Sequence, residues 1–231
     1  MRLIRKLLGA TKGVAAIEFA ITLPVLLTLG LVGLETAHYA ITHLRISNIA
    51  MITADNAARV RDSIDETDVE ELFVGALLAG DSIDFEENGR VILYSVEPNG
   101  TNTRQWIRWQ RCDGDKDVDP SYGRPLNSAG VAITNGTEIF ATNRTSASSA
   151  TARSSETAVT ATAVGPADNQ IAAQAGTAVM IAEAVYDYQP LVPNSLLEGK
   201  QIRYVSGFNV RQRNDQSLRN STATTPKSCG A

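Results

Sequence analysis

The sequence predicts an α+β protein, with one long N-terminal helix, membrane-spanning in its first half, packed on a small antiparallel sheet. Three observations carry that expectation. Residues 14–34 form an apolar run whose sole ionisable side chain is Glu18. Helical spacing continues beyond it through Ile41, Leu44, Met51 and Ile52. Past Gly80 the apolar period changes to two, in segments rich in β-branched and aromatic residues.

The N-terminus comes first. Residues 1–13 contain Arg2, Arg5, Lys6 and Lys12 and no acidic residue, and read as a basic leader. Basic residues ahead of a single span hold that end in the cytoplasm and favour translocation of the chain beyond the span. At ~1.5 Å per residue, residues 14–34 make a helix of roughly 30 Å, the hydrocarbon thickness of a bilayer. A secretory signal has a shorter apolar core of about 7–15 residues. A plain signal anchor fits the length and charge but leaves Glu18 unexplained, because a carboxylate inside such a segment costs roughly 3 kcal/mol. The alternative for Glu18 is a glutamate near the cytoplasmic edge that snorkels to the headgroups.

Gly13, then Val14, Ala15, Ala16 and Ile17, then Glu18 and Phe19, with Pro24 soon after, resembles the prepilin-peptidase site of type IV pilin-like proteins. Within that group it looks most like the TadE family of minor pseudopilins from tight-adherence (Tad/Flp) pilus systems. The stretches from Trp109 to Gly114 and from Val185 to Leu191 are also similar to that family. The resemblance implies a pilin-like fold, cleavage between Gly13 and Val14, and processing and assembly roles for Glu18 and Phe19. It implies as partners a prepilin peptidase, the other pilins and pseudopilins of the Tad system, the inner-membrane assembly platform and the lipid bilayer. The expected location is the inner membrane, single-pass, with the N-terminus cytoplasmic and the head on the periplasmic or extracellular side. Cleavage would free an amino group on Val14, and the Glu18 carboxylate of a neighbouring subunit could meet it within lipid, each charge offsetting the other. The function implied is a minor pseudopilin in pilus biogenesis or secretion. The alternative is a signal-anchored exported domain that binds a ligand or catalyses a reaction.

With no proline or glycine between Gly33 and Gly75, the first helix is expected over residues 14–63, spanning the membrane over about 14–34. Gly30, Gly33, Thr28, Thr36 and Ala37 give it a stripe of small residues suited to helix contact. Residues 64–231 then form an exported α+β head. Thr67 to Glu70 reads as a capping box opening a second helix, with Leu72, Phe73, Leu77 and Leu78 as its apolar face and Gly80 at its end. Ser82 to Phe85, an Asn88–Gly89 turn and Arg90 to Glu97 read as a β-hairpin. Further strands are expected over Thr103–Arg111, Thr177–Tyr188 and Gln201–Val210, giving an antiparallel sheet of four or five strands. Residues 135–174, dominated by Ala, Ser, Thr and Asn, read as a flexible insert.

The two cysteines, Cys112 and Cys229, lie downstream of the span. In an oxidising compartment they would pair, and in a reducing one they would remain free thiols. Asp113, Asp115, Asp117 and Asp119 alternate as calcium ligands can, but Val118 stands where an EF-hand loop needs glycine and Arg124 where it needs glutamate. A solvated acidic turn is the favoured reading, and no metal or other cofactor is expected. The net charge of −4 falls further once a leader with four basic residues is removed, which excludes a basic nucleic-acid surface. No nucleophile elbow, phosphate loop or zinc spacing is present, and both histidines, His38 and His43, lie on the first helix. The expectation is therefore a structural protein and not an enzyme.

Overall fold

Helix α1 runs from Thr11 to Arg59 and carries Pro24 within it. The computed structural model describes residues 11–98, 105–125, 164–165, 168–193 and 197–230. Proline removes one amide donor from the helix ladder. Nearby threonine hydroxyls bond back to the backbone, Thr22 Oγ1 to the Glu18 carbonyl at 2.9 Å and Thr28 Oγ1 to the Pro24 carbonyl at 2.7 Å. These bonds satisfy the hydroxyls within the helix, as an apolar surrounding demands. The helix ends at Arg59, four residues before the expected Ser63, because the chain turns through Asp62, at φ 59°, into a strand. Aspartate tolerates that left-handed backbone better than most residues.

The chain divides into two compact units. One takes in the chain through Ile41 together with Pro190–Glu198, and the other takes in Thr42–Gln189 with Gly199–Ala231. In the first unit every side chain from residue 14 to residue 34 is exposed. Glu35, by contrast, is buried, and its Oε2 accepts the Val192 N–H at 3.0 Å.

In the second unit the outer part of α1 buries Ile46, Ile49, Ala50, Thr53, Ala54, Ala57 and Ala58, a stripe at helical spacing. Strand β1 (Asp62–Asp65) leads into helix α2 (Glu66–Gly80). The capping residue of α2 is Asp65, two residues before the expected Thr67. Its carboxylate accepts the Thr67 N–H, while the Asp68 carboxylate reaches back to the Asp65 N–H at 2.8 Å. The expected hairpin arm at Ser82–Phe85 is absent. Instead a 3₁₀ turn (Asp81–Ile83) and the short helix α3 (Phe85–Asn88) lead into strand β2 (Gly89–Pro98). Strands β3 (Gln105–Asp113), β4 (Val179–Asp187) and β5 (Gln201–Asn209) complete an antiparallel sheet of order β3-β2-β4-β5. Residues 103–104, expected to open β3, lie outside the described residues. A further strand, β6 (Arg213–Arg219), pairs in parallel with β1.

Both faces of the four-stranded sheet are covered, so β2 and β4 are buried almost residue by residue. Cross-strand neighbours share a face. One face carries Leu93, Met180, Ala182, Ala184, Arg111 and Tyr204 and meets the helices, with Tyr204 beside His43 of α1. The other face carries Ile92, Tyr94, Val96, Ile107, Val179 and Ile181, which pack with Val164, Ala173, Cys112 and Cys229. The end of the expected insert therefore belongs to the core, since Val164 and Ala173 are buried there and Val164 bridges to Ile171. Residues 135–163 and 166–167 of that insert lie outside the described residues. Cys112 and Cys229 form a disulfide with a Cα–Cα separation of 5.0 Å, and the Cys112 N–H donates to the Lys227 carbonyl at 2.9 Å. The C-terminal segment is thereby tied to β3.

Candidate functional site: the apolar helix and its carboxylates

Gly13, Val14, Glu18 and Phe19 all lie on α1, while residues 1–10 of the expected leader lie outside the described residues. A methyl group built on Gly13 would meet nothing within 4 Å, so the fold of this chain places no demand for glycine there. The same holds for Gly30 and Gly33. Val14 is 57% exposed and Phe19 62% exposed. Glu18 is exposed as well, and among the described residues none pairs with its carboxylate. Val14 and Glu18 stand four residues apart, which places them one turn apart on the same helix face. The surface from Val14 to Leu34 is thus an apolar cylinder with one carboxylate near its start, and none of the described residues covers it. Among the described residues one helix is long and apolar enough to cross a bilayer, with a mean hydropathy of 2.1.

Glu35 is the residue that sequence reasoning missed. It directly follows the apolar run and falls on the same 3–4 stripe as the buried Thr42, Ile46 and Ile49. That periodicity was the available signal, because a carboxylate on a buried stripe needs a donor. One such donor is the Val192 N–H.

The head holds its charges in pairs inside the core. Arg111 donates through Nε to both Glu66 oxygens, at 2.9 and 3.0 Å, and through a guanidinium NH₂ to Oε1. Arg108 pairs with Glu97 at 2.7 Å. Glu183, fully buried, accepts from Tyr94 Oη at 2.6 Å, from the Ser121 N–H and hydroxyl, and from Arg203. Burial, and then the Glu183 charge, push the Tyr94 hydroxyl well above its ordinary pKa, which keeps it a neutral donor. Arg213 donates to Gln216 Oε1 at 3.0 Å and to the Ala57 carbonyl at 3.4 Å. Burial lowers its pKa to about 10 against the opposing pull of Glu97. Arg111–Glu66 thus ties α2 to the sheet, Arg213 ties β6 to α1, and Glu183 ties the segment at Ser121 to the sheet. Tyr186 does the same for the turn before α3, donating to the Ile83 carbonyl at 2.6 Å. Burial, then the Asp84 charge, raise its pKa to about 12.

The acidic run does not converge on a common point. Asp113 pairs with Lys227 at 2.8 Å, Asp119 with Arg124 at 2.7 Å, and Asp117 faces Arg90 at 3.7 Å, while Asp115 is exposed. Among the described residues no group of three His, Cys, Asp or Glu side chains is placed to hold a metal.

A helix whose apolar first half is exposed and whose second half packs on a small sheet defines an α+β protein with one helix compatible with a single-pass membrane anchor. Residues 13–60 match the family model described as TadE-like protein, so this segment is TadE-like, as the motif at Gly13 and Glu18 suggested. That family is a pilus-associated family of structural proteins. No curated protein and no solved structure matches the chain.

Proposed function

We propose that this chain is a minor pseudopilin of a Tad/Flp pilus system, anchored by residues 14–34 and processed by a prepilin peptidase after Gly13. The observation that carries this reading is the TadE-like match over residues 13–60, on a helix whose apolar half no described residue covers. The basic residues 2–12 hold the N-terminus in the cytoplasm, which places the head on the outer face of the inner membrane. Cleavage leaves Val14 with a free ammonium group. In a stack of subunits, Glu18 of one copy lies against the Val14 ammonium of a neighbour, and the paired charges set the axial register. A side chain at residue 13 would obstruct close backbone binding by the peptidase, which accounts for a glycine the fold itself does not need.

The buried charge pairs and the disulfide cross-link the elements of the head, and its partners are the sister pilins and the assembly platform. Replacing Glu18 by Val tests the assembly role. The variant is expected to insert and to be cleaved normally, but to fail to cross-link to sister subunits or to support pilus formation. Normal piliation with Glu18→Val would overturn the proposed register role.

A further inference from the structure

We infer that residues 190–193, at the start of the connection between β4 and β5, are a second membrane contact, seated in the headgroup region beside the span. This rests on the reading of residues 14–34 as a bilayer-crossing helix. The Glu35 carboxylate directly follows the last apolar residue of that span, Leu34, and so marks where the hydrocarbon ends. Its Oε2 accepts the Val192 N–H at 3.0 Å, and Pro190–Glu198 forms one compact unit with the first part of α1. The loop is therefore held at the depth of the lipid boundary.

Its composition fits that place. Pro190, Leu191, Val192 and Pro193 form an unbroken apolar run, and Leu191 is 51% exposed although nothing in the fold requires an exposed leucine there. His38 and Tyr39, half-buried on the next turn of α1, are side chains suited to the interfacial belt. A short apolar segment lying in that zone buries its side chains about 5–10 Å into the headgroup and acyl boundary. The Glu35 hydrogen bond also satisfies a backbone donor that would otherwise enter a water-poor layer unpaired. The partner is thus the lipid surface itself, and the contact would limit how the anchor tilts.

The test uses the full chain, with Cys112 and Cys229 in their disulfide, carrying one new labelled cysteine in vesicles of phosphatidylethanolamine and phosphatidylglycerol. Leu191→Cys and, independently, Pro193→Cys carry an environment-sensitive fluorophore, and Val25→Cys reports the span. Lipids spin-labelled near the headgroup are expected to quench the labels at 191 and 193, and aqueous iodide to quench them weakly. Lipids spin-labelled near the chain end should quench the label at 25. Strong iodide quenching and no lipid quenching at 191 and 193, with residue 25 still quenched by lipid, would overturn the inference and leave the span intact. Loss of lipid quenching at residue 25 would remove the span, and the loop contact with it.

Discussion

Removing the charge of Glu66 should be among the most damaging single changes the head can suffer. Arg111 is fully buried on the helix-facing side of β3, and Glu66, at the start of α2, gives it a bidentate partner. Glu66→Gln keeps the shape and leaves the guanidinium buried against a neutral amide. Breaking one partner of a buried pair costs about 3–5 kcal/mol. With a urea m-value of about 2 kcal/mol/M, the unfolding midpoint should fall by about 1.5–2.5 M. The assay is urea unfolding of the full chain in detergent, followed by the emission of tryptophan, since Trp109 is 1% exposed. The double variant Glu66→Met/Arg111→Met removes both charges and should recover to within about 1 kcal/mol of the parent. A midpoint unchanged by Glu66→Gln, or a double variant as unstable as the single, would refute the argument that an orphaned guanidinium is what costs the stability.

Other positions in the head give outcomes of either sign. Gly114 sits at φ +103° with the Gly89 carbonyl oxygen 2.4 Å from where a Cβ would stand, so Gly114→Ala should cost at least about 2 kcal/mol. Gly75, on an open helix surface, should gain about 0.5–1 kcal/mol as Ala, both changes being read from the same urea curves. Burial raises the Asp65 pKa, but the hydrogen bonds from Ser221 and Thr67 together outweigh it and leave the carboxyl below its ordinary value. A depressed carboxylate contributes stability above its unfolded pKa of about 3.9 and loses it as pH falls through the folded value. Asp65→Ala should therefore cost about 1 kcal/mol at pH 7, a difference that closes when unfolding is repeated at a pH low enough to protonate the folded-state carboxylate. Reducing the Cys112–Cys229 bridge, which spans 117 residues of sequence, should cost about 4–5 kcal/mol, measured by unfolding with and without dithiothreitol.

The elements with strong local periodicity were legible in the sequence. The long helix, the second helix and strands β2 to β5 lie within a few residues of expectation, because their apolar spacing is set by the face they bury. What failed was local chemistry with more than one physical cause. Gly89 reads as a hairpin-turn glycine, yet its φ is −134°, and its missing side chain instead makes room for the Phe85 ring, 2.6 Å from a hypothetical Cβ. The left-handed residue is Asp84, at φ 50°, and Phe85 is buried by a helical turn rather than a strand. The β1–β6 pairing was invisible because both segments are short and polar and lie far apart in the chain. The second sheet face was missed although the near-continuous apolar run of β2 points to burial on both sides. Of the candidate site, Gly13 and Glu18 stood out as a motif, while Glu35 did not, because its donor is a backbone amide 157 positions away.

The central claim is that Gly13 is a cleavage site and that the functional anchor begins at Val14. Intact-mass analysis with N-terminal sequencing of the membrane-embedded protein, from cells with and without prepilin peptidase, tests it most directly. The account predicts a chain beginning at Val14 when the peptidase is present and an uncut chain when it is absent or when Gly13 is replaced by a bulky residue. A native protein that retains residues 1–13 in peptidase-competent cells would contradict it.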